Sequence, residues 1–335
     1  MREGVLAVIG NTPLVRLDRA LGEIDFHLYS KLEALNPGGS IKDRTALSII
    51  EAALEEDKLQ LGDTVIESSS GNMGIGLAQA CAYLGLNFIC VVDPKVTAQN
   101  IEILRAYGTQ IDMVPEADAG RGEFLQARLD RVEDLLHAIP GSFWPNQYAN
   151  IYNPRAHRQT MEEITTVLHG KVDYLFCATS TCGTIRGCAD YIKENKLKTK
   201  VLAVDAYGSV IFGGPRAKRL IPGHGAAVRP QLYQEDMADD CIYVSDLECV
   251  IGCRRLVRLE AILAGGSSGA VLMAVRKIRN TIPAGANCVM IFPDRGERYL
   301  DTIYSDRWIQ KHFGDVSHLW QEEELLEETC LTASY

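Results

Sequence analysis

The stretch Asn36-Pro37-Gly38-Gly39-Ser40-Ile41-Lys42-Asp43-Arg44 decides how this chain is read. A glycine-rich turn ends in Ser40, a residue suited to capping a helix N-terminus. Ala46, Ile49, Ile50 and Ala53 follow at i, i+3, i+4 and i+7, the apolar face of an amphipathic helix. Lys42 then falls in the first helical turn, at the positive end of the macrodipole, where an ammonium is disfavoured. A lysine held there ionises less readily, and a neutral amine can form a Schiff base with a carbonyl. Taken alone, the run also describes a surface lysine beside Asp43, and the remaining sequence must choose between the two.

Beyond this run, short apolar segments alternate with helical patterns. Strands are expected at 64–67, 88–92 and 110–114, with helices at 75–83, 97–107 and about 120–137. Further strands are expected at 174–178, 201–205, 241–245 and 288–292, with helical segments between most of them. This is the α/β signature of two open, mostly parallel sheets. The first set of units is complete near residue 148. The tail from about Lys311 to Tyr335 is acidic and reads as a short solvated helix or as disorder.

At 335 residues the chain can build a large core without covalent staples. Its net charge of −10 argues against nucleic acid or an anionic membrane as the main partner. No apolar stretch reaches membrane-spanning length, and the N-terminus lacks the features of a signal peptide. The ten cysteines are scattered, several of them inside apolar runs such as Phe88-Ile89-Cys90-Val91-Val92. They read as small buried hydrophobes in a reduced, cytoplasmic protein, and no C-x-x-C pair suggests a metal site.

Three loops add chemistry. Ser68-Ser69-Ser70-Gly71-Asn72-Met73-Gly74 joins a strand to a helix, and backbone N–H groups, hydroxyls and an amide there suit a carboxylate. Ser180-Thr181-Cys182-Gly183-Thr184 occupies a similar junction and could hold a phosphate, although it is neither a P-loop nor a dinucleotide fingerprint. Cys182 at a helix start could be an activated thiol, but a small residue permitting close approach is the simpler reading. Gly265-Gly266-Ser267-Ser268-Gly269 leads into an apolar helix. Each loop alone is an ordinary turn. Together with Lys42 they suggest pyridoxal phosphate, with the cofactor as electron sink.

In these four places, and in their order, the sequence resembles the fold-type II pyridoxal phosphate enzymes of the cysteine synthase and cystathionine β-synthase family. The resemblance runs from Gly10-Asn11-Thr12-Pro13-Leu14 to Asp306. It implies two open, mostly parallel-sheet domains of the tryptophan synthase β-like kind. Residues 1–12 and 36–148 would form the smaller, mobile unit that holds the substrate carboxylate. Residues 13–35 and 149–310 would form the larger unit that holds the cofactor phosphate. Lys42 would carry the cofactor and move the proton, Asn72 would contact its ring hydroxyl, and Ser267 its pyridine nitrogen. Ser180, Thr181, Cys182, Gly183 and Thr184 would bind its phosphate. Ser69, Ser70, Gly71, Asn72 and Met73, with Gln147, would hold the substrate carboxylate. Family members are usually homodimers. The departures are a phosphate loop poorer in glycine, and Ser69 and Met73 where threonines are usual.

Within the family, the segments 91–95, 146–150, 204–213 and 293–301 resemble the branch that makes 2,3-diaminopropionate precursors for siderophores or peptide natural products. That resemblance implies joining of O-phospho-L-serine to L-glutamate with loss of phosphate. A phosphate leaving group needs local cations. Arg121, Arg128, Arg155, His157 and Arg158 are available, and Arg128, flanked by Leu125, Ala127 and Leu129, is preferred. Tyr148, beside Gln147, is the candidate for the pocket of the second substrate. The rivals are a cysteine synthase using O-acetylserine or O-phosphoserine with sulfide, and a homologue that regulates without catalysis.

Overall fold

The computed structural model describes residues 4–116 and 124–320. In chain order its elements are β1 (Leu14–Arg16), β2 (His27–Leu32), α1 (Lys42–Glu55), β3 (Thr64–Ser68), α2 (Asn72–Leu84), β4 (Asn87–Val92), α3 (Ala98–Ala106), β5 (Gln110–Met113) and α4 (Phe124–Ala138). There follow α5 (Tyr152–Val167), β6 (Tyr174–Ala178), α6 (Gly183–Glu194), β7 (Lys200–Ala206), β8 (Asp240–Val244), α7 (Asp246–Glu260), α8 (Gly266–Ile278), β9 (Asn287–Phe292) and α9 (Asp306–Phe313). The strands form a six-stranded sheet in the order β1-β2-β9-β6-β7-β8 and a three-stranded sheet in the order β3-β4-β5. Every pairing is parallel except that of the edge strand β1 with β2.

Both sheets are covered on both faces, so their strands read as near-continuous apolar runs. In β9, Cys288, Met290 and Phe292 pack with α7 and α8, while Val289 and Ile291 face α5 and α6. The smaller sheet divides in the same way. Val65, Phe88, Cys90 and Val92 pack with α1 and α2, and Ile66, Ile89 and Val91 pack with Val132 and Leu135 of α4. Ala46, Ile49, Ile50 and Ala53 of α1 all enter the first of these clusters, as their spacing predicts.

Two details differ from the sequence reading. The cap of α1 is Ile41, without a side-chain bond, and not Ser40. The backbone explains this: Ile41 N–H donates to Pro293 O at 2.7 Å and Ser40 bridges to Asp294, which draws residues 40 and 41 onto the chain after β9. Ser40 Oγ still accepts from Lys42 N–H at 3.2 Å. The other difference is β1 and β2, which sequence patterning leaves unassigned. Arg121 and most of the acidic tail (321–335) lie outside the described residues.

Candidate active site

In parallel sheets ligands gather beyond the C-terminal ends of the strands. β3, β6 and β9 end at Ser68, Ala178 and Phe292, and the candidate loops follow them or lie against them. Lys42 stands at the start of α1, whose orientation is set by a buried ionic cluster. Arg44 Nε lies 2.7 Å from Glu33 Oε2 and its Nη2 2.7 Å from Glu163 Oε2, an oxygen that Lys31 Nζ also reaches at 2.6 Å. Asp43 turns inward to accept from Gly38 N–H, and a Cβ on Gly38 would stand 2.5 Å from its carboxylate. The reading of Lys42 as a surface lysine beside Asp43 therefore fails.

Burial lowers the Lys42 ammonium to about 8, opposed by Cys177, Asp294 and Cys182 nearby. Burial, more than the helix dipole that the sequence suggests, keeps part of the amine neutral near neutral pH.

The loop 180–184 meets the N-terminus of α6. Cys182 caps it with φ 67°, in the left-handed region that favours glycine. Burial pushes its thiol up to about 12, so it is a packed small residue and not an activated nucleophile. Gly183 is required, because a Cβ there would come within 2.0 Å of Asn153 Oδ1. Asn153 Nδ2 donates to Thr181 Oγ1 at 3.2 Å and to Gln147 O at 2.7 Å, so one buried amide fixes both the phosphate loop and the chain carrying Gln147. Ser180 and Thr184 remain half-buried at the mouth of the loop.

At the start of α2, Ser69 Oγ accepts from Gly74 N–H at 2.9 Å. Ser70, Gly71 and Asn72 are half-buried, whereas the Met73 side chain is buried in the core, so only its backbone can serve a ligand. Asn72 Nδ2 donates to Asp294 Oδ2 at 2.8 Å, and Arg298 donates to Asn72 Oδ1. Ser267 is half-buried in the first turn of α8. The carboxylate of Asp294 reaches that turn too, since a Cβ on Gly265 would lie 2.0 Å from its Oδ1. Lys42 is thus linked through its neighbours to all three loops.

The cations sort themselves. Arg128 is half-buried, with Nε 3.3 Å from Asp93 Oδ2. Its charge is felt by Glu67 and by Tyr148, whose hydroxyl meets Ser180. Tyr148 is 41% exposed. Of the three other candidates, two lie away from the site and the third lies in it without charge. Arg155 lies over the Tyr152 ring and Arg158 pairs with Glu194, both at the surface. His157 is buried against Thr45 and Thr184, and burial together with Lys42 drives it neutral, so it supplies no charge.

Sequence reasoning missed Glu67, Asn153 and Asp294. Glu67 is 3% exposed, and burial raises its carboxyl to about 7 against the bonds from Trp144, Ser68 and Gln147. A charged residue ending an apolar strand run was the available signal for Glu67 and Asp294.

An amine, a helix N-terminus lined with hydroxyls and closed by a glycine that admits no Cβ, an amide and a lone serine form a donor set that fits pyridoxal phosphate. Fold and site together define an enzyme of that class. The family described as pyridoxal-phosphate dependent enzyme matches residues 5–294, and the chain belongs to it. An N-(2-amino-2-carboxyethyl)-L-glutamate synthase of Ralstonia nicotianae is 43% identical over 92% of this chain and 91% of its own. One of Cupriavidus metallidurans is 42% identical over the same shares. Among solved structures, a cysteine synthase from Entamoeba histolytica superposes with a TM-score of 0.85 at 32% identity, over 91% of each chain. A hydrogen sulfide-producing enzyme from Fusobacterium nucleatum superposes with 0.83 at 34% identity, over 90% of this chain and 98% of its own.

Proposed function

We propose that this enzyme condenses O-phospho-L-serine with L-glutamate, giving N-(2-amino-2-carboxyethyl)-L-glutamate and phosphate. The reading rests on the two synthases of that name, each at least 42% identical over 92% of the chain. The product would serve as a 2,3-diaminopropionate precursor for a siderophore or peptide natural product, and the enzyme would act as a cytoplasmic homodimer.

When bound, pyridoxal phosphate supplies an electron sink beside Cα. Ser180 to Thr184 and the α6 N-terminus hold its phosphate, Asn72 its ring hydroxyl and Ser267 its pyridine nitrogen. Ser69 to Met73, with Gln147, hold the substrate carboxylate. The Lys42 amine takes the Cα proton of O-phosphoserine. The Cβ–O bond then breaks, and phosphate leaves with the bonding pair toward Arg128. The glutamate amine forms the new C–N bond at Cβ and gives up a proton, and Lys42 returns a proton to Cα. Tyr148 borders the space for glutamate.

The direct experiment incubates the holoenzyme with O-phosphoserine or O-acetylserine and a panel of amino acids plus sulfide, and identifies products by mass. The expected pair is O-phosphoserine with glutamate. If O-acetylserine with sulfide is far better, the protein is a cysteine synthase, like the solved enzyme of Entamoeba histolytica.

The division into a mobile unit (1–12 and 36–148) and a fixed one (13–35 and 149–310) belongs to the same proposal. Substrate should draw the units together and exclude water. Identical angles between the two sheets in free and substrate-loaded crystals would remove it.

A further inference from the structure

The segment Pro293-Asp294-Arg295-Gly296-Glu297-Arg298-Tyr299 follows β9 and has no part in the chemistry above. Yet it touches the turn before Lys42 and two of the three loops of the site. It receives Ile41 N–H on Pro293 O at 2.7 Å and Gly265 N–H on Asp294 O at 3.1 Å. Arg298 donates to both Gly38 O and Asn72 Oδ1. Asp294 lies at the centre and is 2% exposed. Its Oδ2 accepts from Asn72 Nδ2 at 2.8 Å and from Tyr299 Oη at 2.5 Å. Its Oδ1 has no hydrogen-bond partner among the described residues.

A buried carboxylate with an unpaired oxygen is costly, and stability alone gives no reason for one. Orientation gives a reason. A primary amide has two N–H bonds in fixed directions. With Oδ1 of Asn72 bound by Arg298 and one N–H bound by Asp294, the amide cannot flip, and the direction of its second N–H is set.

We propose that Asp294 is a positioning residue, orienting the Asn72 amide toward the cofactor's ring hydroxyl and setting a carboxylate beside Lys42. The proposal rests on the cofactor assignment above, but not on which substrates are joined. The charged or titratable groups facing Asp294 are Lys42 of α1, Cys253 of α7, Tyr304, and Arg298 and Tyr299 of its own segment. Burial raises the Asp294 carboxyl, while Tyr299, Asn72, Arg298 and Lys42 favour its ionised form. Its charge in turn favours positive charge at Lys42.

The test uses the substrate-free holoenzyme, by visible absorbance against pH and by affinity for pyridoxal phosphate. Asp294→Asn keeps an acceptor for Asn72 and loses the charge. The pH at which the visible band titrates should fall by about one unit or more, with affinity held within about threefold. Asp294→Ala loses both functions and should also weaken cofactor affinity about tenfold. An unchanged titration in Asp294→Asn, or unchanged affinity in Asp294→Ala, overturns the proposal. Tyr299→Phe removes a single hydroxyl and carries the test if the other variants do not fold. It should shift the titration the same way by a few tenths of a unit, and no shift counts against the proposal. A parent protein without a visible band overturns the cofactor assignment and this inference with it. A parent that has the band but makes cysteine overturns only the choice of substrates.

Discussion

Arg44 and Arg128 both stand against carboxylates, Arg44 buried and Arg128 half-buried. Arg44 is saturated: Nε and Nη2 reach Glu33 at 2.7 and 2.9 Å, and Nη1 and Nη2 reach Glu163 at 2.8 and 2.7 Å. Arg128 stands 3.3 Å from Asp93, and its Nε makes no hydrogen bond among the described residues. The first cluster is closed; its side chains complete one another and aim α1. The second is looser, which fits the role proposed for Arg128 in taking up an anion. On that proposal the difference separates a structural ion cluster from a binding one, since a desolvated charge without good partners is retained at a cost.

The comparison breaks most visibly at Arg44. Arg44→Ala leaves Glu33 in the interior without its arginine, while Lys31 stays on Glu163, and should cost about 3–5 kcal/mol of stability. Urea unfolding of the parent and the variant measures this directly. A loss below about 1 kcal/mol would mean the cluster is not what holds α1.

The two clusters should also respond to pH in opposite senses. Despite burial, the bonds from Arg44 and Lys31 hold the Glu163 carboxyl down to about 2, below its ordinary 4.5. Its stabilisation is therefore complete above about pH 4.5 and is lost as pH falls toward 2. Glu67 is raised from 4.5 to about 7, chiefly by burial. Across that window the folded state holds a proton that the unfolded state has released, so stability falls as pH rises from 4.5 to 7 and is flat above. The slope is about 1.4 kcal/mol per pH unit at most. Glu67→Gln should flatten it and make the variant the more stable protein at pH 8, by no more than about 3 kcal/mol. Parallel pH–stability curves for parent and variant would show that Glu67 is ionised in the folded state.

The same contrast explains what the sequence could disclose. The places of Lys42, Asn72, Ser267 and the loop 180–184 at helix starts were legible because glycines, serines and the apolar pattern that follows mark such starts locally. Most strands were legible because parallel strands buried on both faces write apolar runs. β1 and β2 were not: His27–Leu32 mixes polar and apolar residues and includes Lys31, whose burial depends on Glu163, distant in sequence. Glu67, Asn153 and Asp294 were hidden for that reason too. Each acts through a contact with residues far along the chain, and no spacing records such a contact. His157 looked like a cation in sequence and is neutral in the fold, because burial decides its charge.

The last test asks whether Arg128 is open for a ligand. If it waits for the leaving phosphate, Arg128→Ala removes a charge-assisted bond of roughly 1.5–3 kcal/mol formed only with that group. O-Phosphoserine turnover should then fall by about one to two orders of magnitude. Turnover of O-acetylserine, if that ester is accepted, should hardly change, since acetate needs no such partner. Stability should change far less than for Arg44→Ala, because among the described residues Asp93 is the only carboxylate that loses an ion pair with it. The two-substrate contrast is the diagnostic, as a folding defect would lower both rates. Equal losses, or none, would remove Arg128 from the site and leave its burial without a functional reason. A loss confined to O-phosphoserine, accompanied by little change in unfolding, would show that the incomplete cluster is the binding one.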